Sequence, residues 1–191
     1  CRRIVEQALR LGYRHVDTAQ AYENEREVGE GIRKSGVPRD QIHVTTKVWY
    51  SNLAPADVLR TTRESLVRLN LDYVDLLLIH WPNTSVPLDQ TIAAICKAKR
   101  DGMTKHVGIS NFTAALVDQA VQYSTEPIAT NQIEMHPYLD QTKVIAACKA
   151  NGIAVTAYSP IARGKAGGDP VLSKIGRAHR KSEAQVCLRY L

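Results

Sequence analysis

The chain is 191 residues long, 44% hydrophobic and 23% charged, with a formal net charge of +6. That length and balance suffice to bury a sizeable core, and no run approaches the ~20 apolar residues of a membrane helix. Lys and Arg are dispersed, with only Arg177-Ala-His-Arg-Lys181 compact, which reads as a solvated helix end and not as a nucleic-acid surface. Neither nucleic acid nor membrane is expected as a partner. Cys1, Cys96, Cys148 and Cys187 lie far apart with no C-x-x-C, as reduced thiols would. With no basic-plus-apolar leader at the start, a soluble, cytoplasmic protein is expected, as one domain over 1–191.

The first pattern is amphipathic, with Ile4, Val5, Ala8 and Leu9 at helical spacing. The stretch from Gly12 to Glu25 then predicts a strand over His15–Ala19 that delivers Asp17 and, five residues on, Tyr22. A carboxylate at a strand end and a phenol on the following loop need partners if buried, which favours proton transfer over packing. A helix over Asn24–Ser35 closes at Gly36 and Pro38, and a β-branched strand, Ile42–Lys47, ends on lysine. A helix over Pro55–Asn70 precedes Val74–His80, a nearly continuous apolar run suited to a strand covered on both faces. Helices near Leu88–Arg100, Thr113–Tyr123 and Gln141–Asn151 then alternate with strands Lys105–Ser110, Ile128–Glu134 and Ile153–Tyr158. A Gly-rich basic loop, Arg163–Gly168, leads into a helix from Pro170, and Ser182-Glu-Ala-Gln185 reads as a capping box opening the last one.

Alternating strands and helices point to βα units and a parallel sheet. An open sheet would spread six strand ends over about 24 Å, whereas a ring brings them to one mouth. The strands finish on Asp17, Lys47, His80, Ser110 with Asn111, Gln132, and Tyr158. Barrel sites are built at such C-terminal ends, and no G-x-G-x-x-G follows any strand, so a (β/α)8 TIM barrel is expected.

A free phenol, pKa near ~10, is a poor acid at neutral pH, and an ammonium beside it stabilises the tyrosinate. Lys47 is the candidate ammonium for Tyr22, Asp17 its counter-ion, and His80 a second donor to a carbonyl oxygen. Such a site polarises and protonates a C=O but lacks a carbon-directed nucleophile, and a hydride donor is the natural complement. His15, His43, His106 and His136 read as capping or packing residues, and no metal site is expected.

The runs Gly12-Tyr-Arg-His-Val-Asp-Thr-Ala with Tyr22-Glu-Asn-Glu, Thr45-Thr-Lys-Val-Trp49, Leu76-Leu-Leu-Ile-His-Trp-Pro82, Gly108-Ile-Ser-Asn-Phe112, Asn131-Gln-Ile-Glu134 and Ala157-Tyr-Ser-Pro160 resemble the aldo-keto reductases. The likeness is greatest to the bacterial 2,5-diketo-D-gluconate reductase branch and covers essentially the whole chain. It implies reduction of small aldehydes and ketones, including 2,5-diketo-D-gluconate or methylglyoxal-like dicarbonyls, with Tyr22 as general acid. It also implies Ser110, Asn111 and Gln132 on a nicotinamide carboxamide, Tyr158 against the ring, Ser159 and Ile161 near the pyrophosphate, and Trp49 and Trp81 beside the substrate. NADP is implied in preference to NAD, and a monomer is expected.

The family's first-strand Gly-x-Gly-Thr run, eighth-strand Pro-Lys-Ser run and 2′-phosphate-gripping Arg are not in this sequence. The expectation is a barrel truncated to strands two to seven, inactive by itself. The alternative from another class is a barrel that binds the cofactor without catalysis.

Overall fold

A computed structural model describes residues 1–191. Strands β1 (His15–Asp17), β2 (His43–Val48), β3 (Val74–Ile79), β4 (Thr104–Ser110), β5 (Ile128–Glu134) and β6 (Ala154–Tyr158) form one sheet in sequence order, every neighbour parallel. Helices α1 (Arg2–Arg10), α2 (Glu25–Ser35), α3 (Pro55–Leu69), α4 (Leu88–Arg100), α5 (Ala114–Tyr123), α6 (Thr142–Ala150), α7 (Pro170–His179) and α8 (Glu183–Tyr190) complete the βα alternation. None is long and apolar enough to cross a membrane.

One contact fixes the curvature. Gln132 Nε2 on β5 donates to Asp17 Oδ2 on β1 at 2.9 Å. In a flat sheet those strands would lie about 19 Å apart, four steps of ~4.8 Å, beyond the reach of two such side chains. The sheet therefore curls, and the chain supplies six strands of a (β/α)8 architecture. β1 and β6 do not pair with each other.

Period-two alternation separates two environments. Val44, Val48, Leu77, Ile79, Val107 and Ile109 belong to a 26-residue apolar core shared with the helices. The residues between them point into the barrel, where Lys47 reaches Asp17 and Tyr22. Cys96, Cys148 and Cys187 are buried free thiols.

Helix boundaries follow local chemistry. Pro55 sits at the first turn of α3, Asp169 caps α7 by accepting from the N–H groups of Val171 and Leu172, and Ser182 and Gln185 form the expected capping box on α8. Gly36 ends α2 at φ 71°, a left-handed conformation glycine adopts without a Cβ penalty. Most expected boundaries hold to within a residue. The first strand is shorter than expected, stopping at Asp17, because the chain leaves at Ala19 for a 3-10 turn over Gln20–Tyr22. The site residues are also not uniformly the last of their strands: His80 follows β3, and β5 runs two residues past Gln132. Tilted barrel strands cross the plane of the mouth at different points of their length.

Gly29 marks the tightest helix contact, since a Cβ there would stand 2.0 Å from the Leu69 carbonyl oxygen at the end of α3. Gly29→Ala should lower unfolding free energy by at least about 2 kcal/mol, because backbone must shift to admit the methyl. Urea denaturation measures it, and an unchanged midpoint would contradict this packing.

Candidate active site

Asp17, Tyr22, Lys47 and His80 come from β1, the following turn, β2 and the residue after β3, and the structure brings all four together. Lys47 is wholly buried, and its ammonium donates to an Asp17 carboxylate oxygen, to the Thr18 carbonyl at 2.9 Å and to the Tyr22 hydroxyl at 3.3 Å. All three ammonium protons are thus used, as a buried lysine requires. The same nitrogen lies 4.8 Å from the Tyr22 ring centroid, while Tyr22 itself is about half exposed to the cleft. Gln132 holds the other Asp17 oxygen, so the counter-ion is fixed from two sides.

His80 stands edge-on to Tyr22 (5.6 Å between ring centroids) and to Trp49 (5.2 Å). Burial, and then the Lys47 ammonium, push its pKa down to about 4, against the opposing charge of Asp17. The imidazole is therefore neutral at physiological pH. Its Nδ1 is buried with no partner, and an N–H orphaned there would cost about 1–3 kcal/mol. We assign the proton to Nε2, the ring nitrogen open to the cleft, where it serves as a donor. Because unfolding returns this group to the ordinary value of 6.5, the unfolded chain binds more protons between pH 4 and 6.5. Stability should rise with pH through that window and flatten above it. The His80 ring protons followed by NMR should titrate near pH 4, and a midpoint near 6.5 would remove the electrostatic argument.

A second cluster lines the opposite wall. Tyr158 OH donates to Asn111 Oδ1 at 2.7 Å; Asn111 Nδ2 donates to the His80 carbonyl at 2.9 Å and to Ser110 Oγ at 3.1 Å; Ser110 Oγ donates to the Gln132 carbonyl at 2.7 Å. Burial, and then the Glu134 carboxylate, push the Tyr158 phenol upward, so it stays a neutral donor. Asn111 (φ 63°) and Ser159 (φ 52°) are left-handed, strain of about 1 kcal/mol or more that recurs where chain is bent to present a site.

These residues surround a cleft of about 540 Å³, also lined by His15, Trp81, Thr156, Ser159 and Arg163. His15, expected merely to cap or pack, forms part of that lining, bonded to Thr45 Oγ1 at 3.0 Å. Ile161, two residues after Ser159, is 38% exposed. Trp49 packs edge-on against the ring of His80, which lines the cleft. No three His, Cys, Asp or Glu side chains are grouped to hold a metal ion. The Thr18 carbonyl and Gln20, whose oxygen accepts from the Trp49 N–H at 3.0 Å, were not foreseen. A backbone oxygen carries no sequence signature, and a single glutamine in a turn carries almost none.

The sequence matches the aldo/keto reductase family over residues 1–191. The chain belongs to the aldo-keto reductases. It is 47% identical over 189 residues to the methylglyoxal reductase DkgB of Escherichia coli O157:H7, covering 97% of this chain and 71% of that protein. A solved structure provisionally assigned as a 2,5-diketo-D-gluconic acid reductase B superposes with TM-score 0.96 at 50% identity, over 99% of this chain and 67% of that one. An aldo-keto reductase of Bombyx mori, solved in complex with NADP, gives 0.91 at 37% identity, over 100% and 69%. This aldo-keto reductase is thus an oxidoreductase of a nicotinamide-dependent family. The second cluster fits such a group in part: Ser110 and Asn111 spend their hydrogen bonds on each other and on neighbours, while Gln132 Oε1 makes none and is open to a carboxamide N–H.

Proposed function

We propose that this aldo-keto reductase reduces small dicarbonyls of the methylglyoxal type with NADPH, using Tyr22 as the proton donor. The observation that carries the reading is a phenol at the cleft surface with a wholly buried ammonium 3.3 Å behind its oxygen. The carbonyl oxygen takes the His80 Nε2–H and the Tyr22 hydroxyl as its two donors. As negative charge develops on that oxygen, the Tyr22 proton moves to it, and the nearby Lys47 ammonium stabilises the tyrosinate left behind. Asp17, held by Gln132, fixes the ammonium in place. A nicotinamide would lie against Tyr158 with its carboxamide on Gln132 Oε1, beside Asn111 and Ser110, and would supply the hydride for the carbonyl carbon. Ser159 flanks the same wall, and Trp81 lies on the substrate side.

Support for a dicarbonyl substrate comes from the likeness to a methylglyoxal reductase and from the modest cleft. Support for the phosphorylated cofactor comes from the likeness to a chain solved with NADP, with Arg163 on the cleft wall and a +6 net charge favouring anions. We read the enzyme as cytoplasmic and monomeric.

The test is oxidation of NADPH or NADH at 340 nm with methylglyoxal and, separately, 2,5-diketo-D-gluconate. In the complete barrel, NADPH should be preferred and methylglyoxal turned over. Tight cofactor binding with no turnover of either substrate would instead favour the non-catalytic barrel.

A further inference from the structure

Gln20 takes no part in the proton transfer above, yet its side chain makes three hydrogen bonds. It opens the 3-10 turn that ends on Tyr22. Its Oε1 accepts from the Trp49 backbone N–H at 3.0 Å and from Asn52 Nδ2 at 3.2 Å, and its Nε2 donates to Ser65 Oγ at 3.3 Å. Ser65 is itself wholly buried on α3 and receives Arg68 Nη2 at 3.0 Å. One amide thus ties the turn bearing the acid to the loop after β2 and to the helix behind both.

Trp49 is the residue whose position this fixes. Its indole stands edge-on to His80 at 5.2 Å and to Tyr50 at 4.7 Å, so it backs the imidazole that faces the carbonyl. Besides the Gln20 bond, the loop has an internal link from the Asn52 N–H to the Trp49 carbonyl, and Asn83 bonds the Tyr50 carbonyl. Of these, only the Gln20 bond joins Trp49 to the acid's own turn.

We propose that Gln20 is a positioning residue that sets the size of accepted substrate by clamping the Trp49 loop against His80. The inference rests on the carbonyl-reductase reading for what the wall encloses; the clamp itself rests on hydrogen bonds present without any ligand. With the clamp released, the loop relaxes outward and a small dicarbonyl loses its close fit. A bulky one then loses less or gains. A pocket tuned by packing discriminates through such margins.

Gln20→Leu keeps the volume and removes all three bonds, whereas Gln20→Glu keeps the doubly accepting oxygen and lets the Ser65 hydroxyl turn to donate. For methylglyoxal, Gln20→Leu should raise KM about fivefold with kcat within about twofold, and should shift the phenylglyoxal-to-methylglyoxal ratio of kcat/KM about fivefold towards phenylglyoxal. Gln20→Glu should restore the ratio to within about twofold. Asn52→Ala, which removes one arm, should move it in the same direction by less, and serves if Gln20→Leu fails to fold. Equal losses on both substrates, or no change in the ratio, would overturn the proposal.

A second readout needs no turnover. The protein has two tryptophans, so in a Trp81→Phe background Trp49 alone emits. Gln20→Leu should red-shift that emission and raise its quenching by acrylamide, with Gln20→Glu unchanged. Quenching unaltered by Gln20→Leu refutes the clamp even in a protein with no reductase activity. Absence of turnover in the unmodified protein, with quenching altered as expected, counts against the proposed function alone.

Discussion

Tyr22→Phe should lower kcat for methylglyoxal by about 10²–10⁴-fold, the range a positioned general acid contributes. The substitution deletes one oxygen and keeps the ring that Lys47 and His80 pack against. Lys47 retains the Asp17 carboxylate and the Thr18 carbonyl as acceptors but loses its third, so stability should fall by about 1–3 kcal/mol, the cost of a buried donor left unpaired. NADPH affinity should stay within about twofold, since the hydroxyl shares no hydrogen bond with the Ser110, Asn111 and Gln132 cluster. Stopped-flow reduction and fluorescence titration of NADPH separate the two effects. A kcat within tenfold of the parent would transfer the acid role elsewhere, with His80 the first candidate.

Lys47→Met should produce a loss of similar size by a different route. The phenol remains, but the charge that stabilises its conjugate base is gone, and kcat should fall by about 10²-fold or more. The stability outcome has two opposed parts. Removing one member of a buried pair costs about 3–5 kcal/mol where the survivor is sealed from water, but the Asp17 side chain is about a third exposed and keeps its bond from Gln132. A smaller loss, about 1–2 kcal/mol, is expected after that screening. The double variant Asp17→Asn/Lys47→Met removes the unpaired charge and should recover most of the stability while recovering none of the activity. A double-mutant cycle reads both. Recovery of activity along with stability would reduce Lys47 to a structural part.

Much of this site was legible because βα architecture places strand ends together. Once Asp17, Lys47, His80, Ser110, Gln132 and Tyr158 were assigned to strand ends, closure of the sheet followed from the need for polar groups to meet. What stayed hidden lies in contacts between residues far apart in sequence. Nothing local announces that Gln132 reaches Asp17 across 115 residues, or that Gln20 holds a backbone N–H 29 residues on. The neutral state of His80 depends on burial and on Lys47, neither of which a lone histidine reveals. Left-handed backbone at Ser159 and Ala162 turns the chain after β6, and side-chain type does not encode that turn.

The two faces of the strands divide the protein's labour in a way that bears on how it can change. The 26-residue core lies on the outward face with the helices, and none of Asp17, Tyr22, His80, Thr156 or Tyr158 belongs to it. Substitutions at Trp81, which lines the cleft outside that core, is 43% exposed and makes no side-chain hydrogen bond, can alter what enters without loosening the scaffold. New substrate ranges are thus open to drift or to laboratory selection on the inward face, while the outward face conserves the frame that holds the acid in place.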